Sequence, residues 1–182
     1  PSLLVAEGDD VKLGQPVMID KQTDGIVFTS PAGGKVRSIH RGEKRRLMSI
    51  IIDVADHELS QEFPVIAAEN ISKLSREEVV ERIVSTGLWT AFRARPFSRV
   101  PLPKSVPNAI FVNAMDTNPL AVQPQVVIAD ARDDFASGLA AVSSLTEGPT
   151  FVCRSHGTET PGEVMQKVRV AEFRGPHPSG LV

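Results

Sequence analysis

VAEGDDVKLGQPVMID at residues 5–20 and IVFTSPAGGKVRSIHRG at 26–42 alternate short apolar runs with turn signals, and that alternation reads as strands and hairpins rather than helix. The runs PVMI, IVFT, KVRSI and LMSIIIDV are each of strand length, and EGDD, DKQTDG, SPAGG and HRGEK separate them. Gly25, Gly33, Gly34 and Gly42 fall in those separators, where positive φ is cheap for glycine alone. A small all-β unit is therefore expected over residues 1–57.

The order of the signals adds to their presence. GD-x-V-x-x-GQ followed by an apolar run, and then SP-x-x-G-x-V, resembles the biotinyl/lipoyl-carrier type of barrel-sandwich fold. In such carriers a lysine for modification sits at a hairpin tip beside residues such as methionine. Here the tip is DKQTDG, and Lys21 lacks that setting, so no covalent cofactor is expected on it. GGKV also invites a test as the end of a phosphate-binding loop. The required earlier glycine would fall at Thr29, and Val36 replaces the hydroxyl residue that binds magnesium, so that reading fails twice.

Residues 58–74 read as a linker, with Pro64 interrupting any regular element. Ser75 then opens SREEVVERIVSTG, in which Ser75 and Glu78 have capping-box spacing and Gly87 follows as a terminator. Beyond it, AIFVNA (109–114), QVVIAD (125–130), TFVCR (150–154) and VRVAEF (168–173) read as strands. DDFASGLAAVSSLTEG reads as a helix with Phe135, Leu139, Val142 and Leu145 on one face, and PGEVMQK as a short helix. Strands alternating with helices imply a mainly parallel sheet, so residues 75–182 are expected to form a Rossmann-like α/β domain. The fold class is thus α+β in two parts, and both ends read as incomplete.

Composition narrows the function classes. Hydrophobic residues make up 41% and charged residues 23%, the balance of a chain with a real core rather than a disordered one. No run approaches the roughly 18 apolar residues of a membrane-spanning helix. A net charge of −2 argues against nucleic acid as a partner, although basic residues cluster at 35–46 and again between Glu81 and Asp116. The single cysteine, Cys153, lies in a strand pattern and reads as a buried structural thiol.

In open α/β sheets, ligands bind outside the carboxyl ends of strands, which directs attention to loops 87–101, 113–121 and 173–180. These loops carry GLWTAFRARPFSRVP, the end of AIFVNAMDTNPLA, and GPHPSGL. Together with FTSPAGGKV and IHRGEKRRLMSIII they resemble the NqrA family of the bacterial sodium-translocating NADH:quinone oxidoreductase, through essentially the whole chain. The resemblance implies part of a longer accessory subunit of a sodium-pumping NADH:ubiquinone reductase, a translocase. It would lie peripherally at the cytoplasmic face of the bacterial inner membrane and be non-catalytic by itself. FMN, FAD and 2Fe-2S centres are expected on other subunits. The quinone-associated membrane subunit of the complex is the expected neighbour and ubiquinone a candidate ligand.

The same resemblance extends, more distantly, to the FMN-binding subunit of respiratory complex I, where a glycine-rich loop and an acidic segment hold flavin and nucleotide. A glycine-rich loop works because backbone N–H groups approach phosphate only where no Cβ intervenes. Here Gly87 is followed by bulky side chains, and the next loop, with Asn113, Asp116 and Asn118, keeps only Asp116 as an acid; these residues and His177 are the candidates near the former nucleotide site. No FMN or NADH is expected on this chain, and the alternative is an FMN- and NADH-binding oxidoreductase domain. Trp89, Phe92, Arg93, Arg95, Phe97 and Arg99 suit a quinone headgroup, since aromatic faces stack and guanidinium groups donate to carbonyls. The reading preferred over quinone makes Trp89 and Phe92 core anchors and pairs the arginines with acids on a partner subunit, since aromatics and arginine are also enriched at interface hot spots. His40, His57, His156 and His177 have no partners at metal-ligand spacing, so no metal site is expected.

Overall fold

The structure is a computed structural model, and it describes residues 1–23, 25–57 and 59–180. Contacts divide the chain into two compact units, one of Pro1–Val65 with Val80–Ser105, the other of Ile66–Val79 with the chain from Val106 onward. By contacts, residues 80–105 group with the β-rich unit and residues 66–79 with the other.

In the first unit, β1 (Ser2–Leu3), β3 (Pro16–Ile19) and β4 (Val27–Thr29) form one antiparallel sheet in the order β1-β3-β4. β2 (Asp10–Val11), β5 (Gly34–Arg41) and β6 (Leu47–Val54) form a second in the order β2-β5-β6. Val17 of one sheet and Val11 and Val36 of the other make a single buried cluster, with Ile39, Ile50 and Ile52 packed against it. Alternation explains this: Val36 and Ile39 face in across a bulge, while Lys35 and Arg37 face out to pair with Asp10 and Asp53. Gly34 is required where β5 meets the end of β6, because a Cβ there would lie 2.0 Å from the Asp53 carbonyl oxygen. The segment expected as linker is partly tied to this unit, since Leu13 N donates to Leu59 O and Gln61 N to Leu13 O.

α1 (Ala68–Ile71) is a single turn, and α2 (Arg76–Ser85) begins with the expected capping box. Glu78 N donates to Ser75 Oγ at 3.2 Å, and Ser75 N donates back to the Glu78 carboxylate at 2.8 Å. Those hydrogen bonds, first from the Ser75 backbone and then from its hydroxyl, hold the Glu78 carboxyl below the usual carboxylate range. The chain leaves α2 through Gly87, whose φ of 77° is left-handed.

The second unit is built on β7 (Ile110–Ala114), β8 (Thr150–Ser155) and β9 (Val168–Phe173), parallel throughout and in the order β7-β8-β9. α3 (Pro124–Asp130) and α4 (Arg132–Ser143) lie between β7 and β8 in sequence. Ala114, Val152 and Val168 of the sheet share a core with Leu139 of α4, joined by Ile128 and Phe135. Two expectations are corrected here. QVVIAD is helix, not strand: Pro124 takes the first helical position, and Val126 and Val127 are exposed rather than buried in a sheet. PGEVMQK is a run of turns, not a helix, with Gly162 at φ 82° and Val164 left in solvent.

No helix among the described residues is long and apolar enough to cross a membrane.

Candidate functional site

Parallel strands bring their carboxyl ends to one edge, and there the α/β unit opens a cleft of about 450 Å³. Met115 follows β7, Ser155 closes β8 with His156 after it, and Phe173 closes β9 with Arg174 after it; all five line the cleft together with Thr117. Loops 113–121 and 173–180 meet here. Thr117 Oγ1 donates to Ser179 O at 3.3 Å and lies 3.3 Å from His177 Nδ1, while Gly180 sits so close that a Cβ would come within 2.1 Å of Met115 Sδ.

The singled-out residues of these loops serve different ends. Asp116 accepts from Asn118 N and Nδ2, both at 2.8 Å, and so closes its own turn. Asn113 stands exposed on β7, away from the face that packs on α4. His177 is exposed and, among the described residues, reaches only Thr117.

Behind the cleft a clamp ties β8 to β9. Arg154 is nearly buried; it pairs with Glu163 and, at 2.8 Å, with Glu172, whose other oxygen lies 2.9 Å from His156 Nδ1. Hydrogen bonds from Arg154 first, then from His156, hold the Glu172 carboxyl below its ordinary range. Burial pushes the Glu163 carboxyl up, but hydrogen bonds from Thr160 and the Arg154 charge more than offset it, leaving it lowered. Cys153, buried beside this clamp, has its thiol pushed up by burial and is a poor nucleophile.

Loop 87–101 does not join loops 113–121 and 173–180 in the α/β unit; it belongs to the β-rich one. Gly87 lies against Thr29 of β4, where a Cβ would fall 2.7 Å from the threonine methyl. Trp89 is 4% exposed, its indole N–H donates to Pro101 O at 2.8 Å, and Phe92 meets it edge-on at 5.1 Å. Arg93 folds back to the carbonyls of Thr90 and Phe92. These three hold the loop. Beyond them, Ala94 and Arg99 bridge a small hairpin, Phe97 is 79% exposed on it, the Arg99 guanidinium lies 5.9 Å from its ring, and Arg95 is in solvent.

Sequence reasoning located two loops of the cleft but passed over His156, Ser155 and Arg174. The available signal was topological: each follows or ends a parallel strand at the same edge as loop 113–121. Among the described residues no three His, Cys, Asp or Glu side chains are grouped as metal ligands would be.

Residues 1–55 match a family model described as the NqrA N-terminal barrel-sandwich hybrid domain, and residues 74–182 one described as the NqrA second alpha/beta domain. The chain is 50% identical over 181 residues to the NqrA subunit of the Na(+)-translocating NADH-quinone reductase of Neisseria meningitidis serogroup B. It is 48% identical to the corresponding protein from Marinomonas sp. and 47% identical to that from Yersinia pseudotuberculosis. Each match covers 100% of this chain, which spans 40% of the length of these relatives.

Proposed function

The chain belongs to the NqrA family, and on that premise we propose that it is part of the NqrA subunit of a Na(+)-translocating NADH-quinone reductase. The observation that carries the proposal is the match of both domain models, in order, to a chain half identical to its relatives from end to end. In this reading the chain is a peripheral, non-catalytic component at the cytoplasmic face. NADH oxidation, quinone reduction and sodium transport are properties of the assembled complex, whose FMN, FAD and 2Fe-2S centres reside on other subunits.

Loop 87–101 then has two layers. Trp89, Phe92 and Arg93 are its scaffold, and Arg95, Phe97 and Arg99 are its contact surface, directed at a neighbouring subunit such as the quinone-associated membrane component. An exposed aromatic ring with the Arg99 guanidinium over it, and Arg95 exposed in the same short loop, is the composition of an interface hot spot. A quinone headgroup is the second occupant of the same surface, favoured by the cation-on-ring geometry of Arg99 and Phe97. Small ligands are normally held in concave sites, so this occupancy needs the neighbour to close over the tip.

The parallel sheet of the second unit supports a Rossmann-like relation to the FMN-binding subunit of complex I, with the flavin lost. Asp116, turned into its own Asx turn, leaves no free acid in the loop after β7.

The test is purification of the full-length subunit by an affinity tag from membranes of its own organism. Co-elution of sodium-stimulated NADH:quinone reductase activity is expected. The isolated subunit should be colourless, and flavin absorbance on denaturation would instead favour the FMN- and NADH-binding alternative. A photoreactive quinone that labels residues 87–101 only in the assembled complex would support the shared site; labelling elsewhere alone would remove quinone from it.

A further inference from the structure

The cleft at the carboxyl ends of β7, β8 and β9 belongs to the second unit, and its lining differs in chemistry from loop 87–101. We infer that it is a binding site for a small organic anion, held by Arg174 with Ser155, with Met115 and Phe173 flanking the ligand's apolar part. Neither the Arg174 guanidinium nor the Ser155 hydroxyl has a partner among the described residues, although both face the same cleft.

Charge decides the class of ligand. Among the described residues no carboxylate lines the cleft. Glu172, the nearest acid behind it, already accepts from Arg154 and faces His156 Nδ1, and Asp116 accepts from Asn118 inside its own turn. His156, whose Nδ1 is engaged by that carboxylate, adds an imidazole to the wall and not an acid. The free donors of the wall are thus the Arg174 guanidinium and the Ser155 hydroxyl, the Thr117 hydroxyl already donating to Ser179 O, and these two suit an oxyanion and leave a cationic ligand without a counter-charge. A guanidinium can hold two oxygens of a phosphate or a carboxylate at once, so both share the chemistry required.

Size and apolar lining define the rest. The volume of about 450 Å³ lies within the range of metabolite-sized sites and far exceeds a lone inorganic ion. Met115 is buried with its sulfur close against Gly180, while Phe173 is partly exposed. The inference does not depend on the family membership, because it uses only the lining of one unit.

Equilibrium dialysis of the full-length subunit at low ionic strength, with radiolabelled inorganic phosphate and then with succinate, tests it. Saturable binding of at least one probe is expected, weakened at least tenfold in Arg174→Ala and unchanged in Arg169→Ala, an arginine of β9 outside the cleft. Arg174 is exposed, so the variant should melt with the parent; Ser155→Ala gives a second, smaller loss of about threefold. Displacement of phosphate by succinate would assign a carboxylate ligand, and resistance to displacement a phosphate one. Uptake that never saturates, or binding equal in parent and Arg174→Ala, would overturn the site.

Discussion

Replacing Trp89 by alanine separates the scaffold of loop 87–101 from its contact surface. The indole is 4% exposed, packs edge-on against Phe92 and donates to Pro101 O at 2.8 Å. Emptying such a site costs about 3–5 kcal/mol, the range for large aromatic to alanine changes in cores. Trp89→Phe keeps an aromatic ring but leaves the Pro101 carbonyl without its donor, at about 1–3 kcal/mol. Phe97→Ala, eight residues along but 79% exposed, should stay within about 0.5 kcal/mol of the parent. Urea unfolding followed by far-ultraviolet circular dichroism reads all three as shifts in midpoint at constant slope. The expected order is Trp89→Ala, then Trp89→Phe, then Phe97→Ala indistinguishable from parent. If Trp89→Ala unfolds with the parent, the indole is not an anchor and the two-layer account of the loop fails.

Three further outcomes follow from the same geometry. Gly34→Ala sets a methyl group 2.0 Å from the Asp53 carbonyl oxygen, where only backbone can yield, so the melting temperature should fall by an amount corresponding to about 2 kcal/mol or more. Glu163 has a lowered carboxyl pKa, so its stabilisation is complete above the unfolded value of about 4.3 and lost as pH falls through the folded one. Melting scans across acid pH should therefore show the parent losing more stability than Glu163→Gln below about pH 4.3, and parallel curves would contradict the Arg154 clamp. Arg99→Ala combined with Phe97→Ala should leave folding intact and weaken co-purification of the full-length subunit with its complex, measured by quantitative blotting of membrane eluates.

Strands of the β-rich unit were legible because each run is short and bounded by turn signals, whereas the bulges that shift register between Val36 and Ser38 and between His40 and Arg41 were not. α2 was legible because Ser75 and Glu78 satisfy one another locally. QVVIAD was misread for a physical reason: four consecutive apolar residues fit a buried strand or a helix equally, and Pro124 at its head was the discriminating residue. The position of loop 87–101 was not legible, since the contact that fixes it joins Gly87 to Thr29, far away in the chain, and no local pattern encodes that approach. Convergence of loops 113–121 and 173–180 followed from parallel topology alone, whereas His156 was passed over as a lone histidine. Its partner Glu172 lies one strand away, a neighbour that the β8–β9 register creates and the sequence does not display.

A photo-crosslinking residue at position 97 of the full-length subunit, irradiated in native membranes, decides whether the proposed docking on a sodium-translocating NADH-quinone reductase takes place. Irradiation is predicted to give an adduct whose mass spectrum contains peptides of another subunit of that complex. An adduct with proteins outside the complex, or none while the complex is active, would contradict the account.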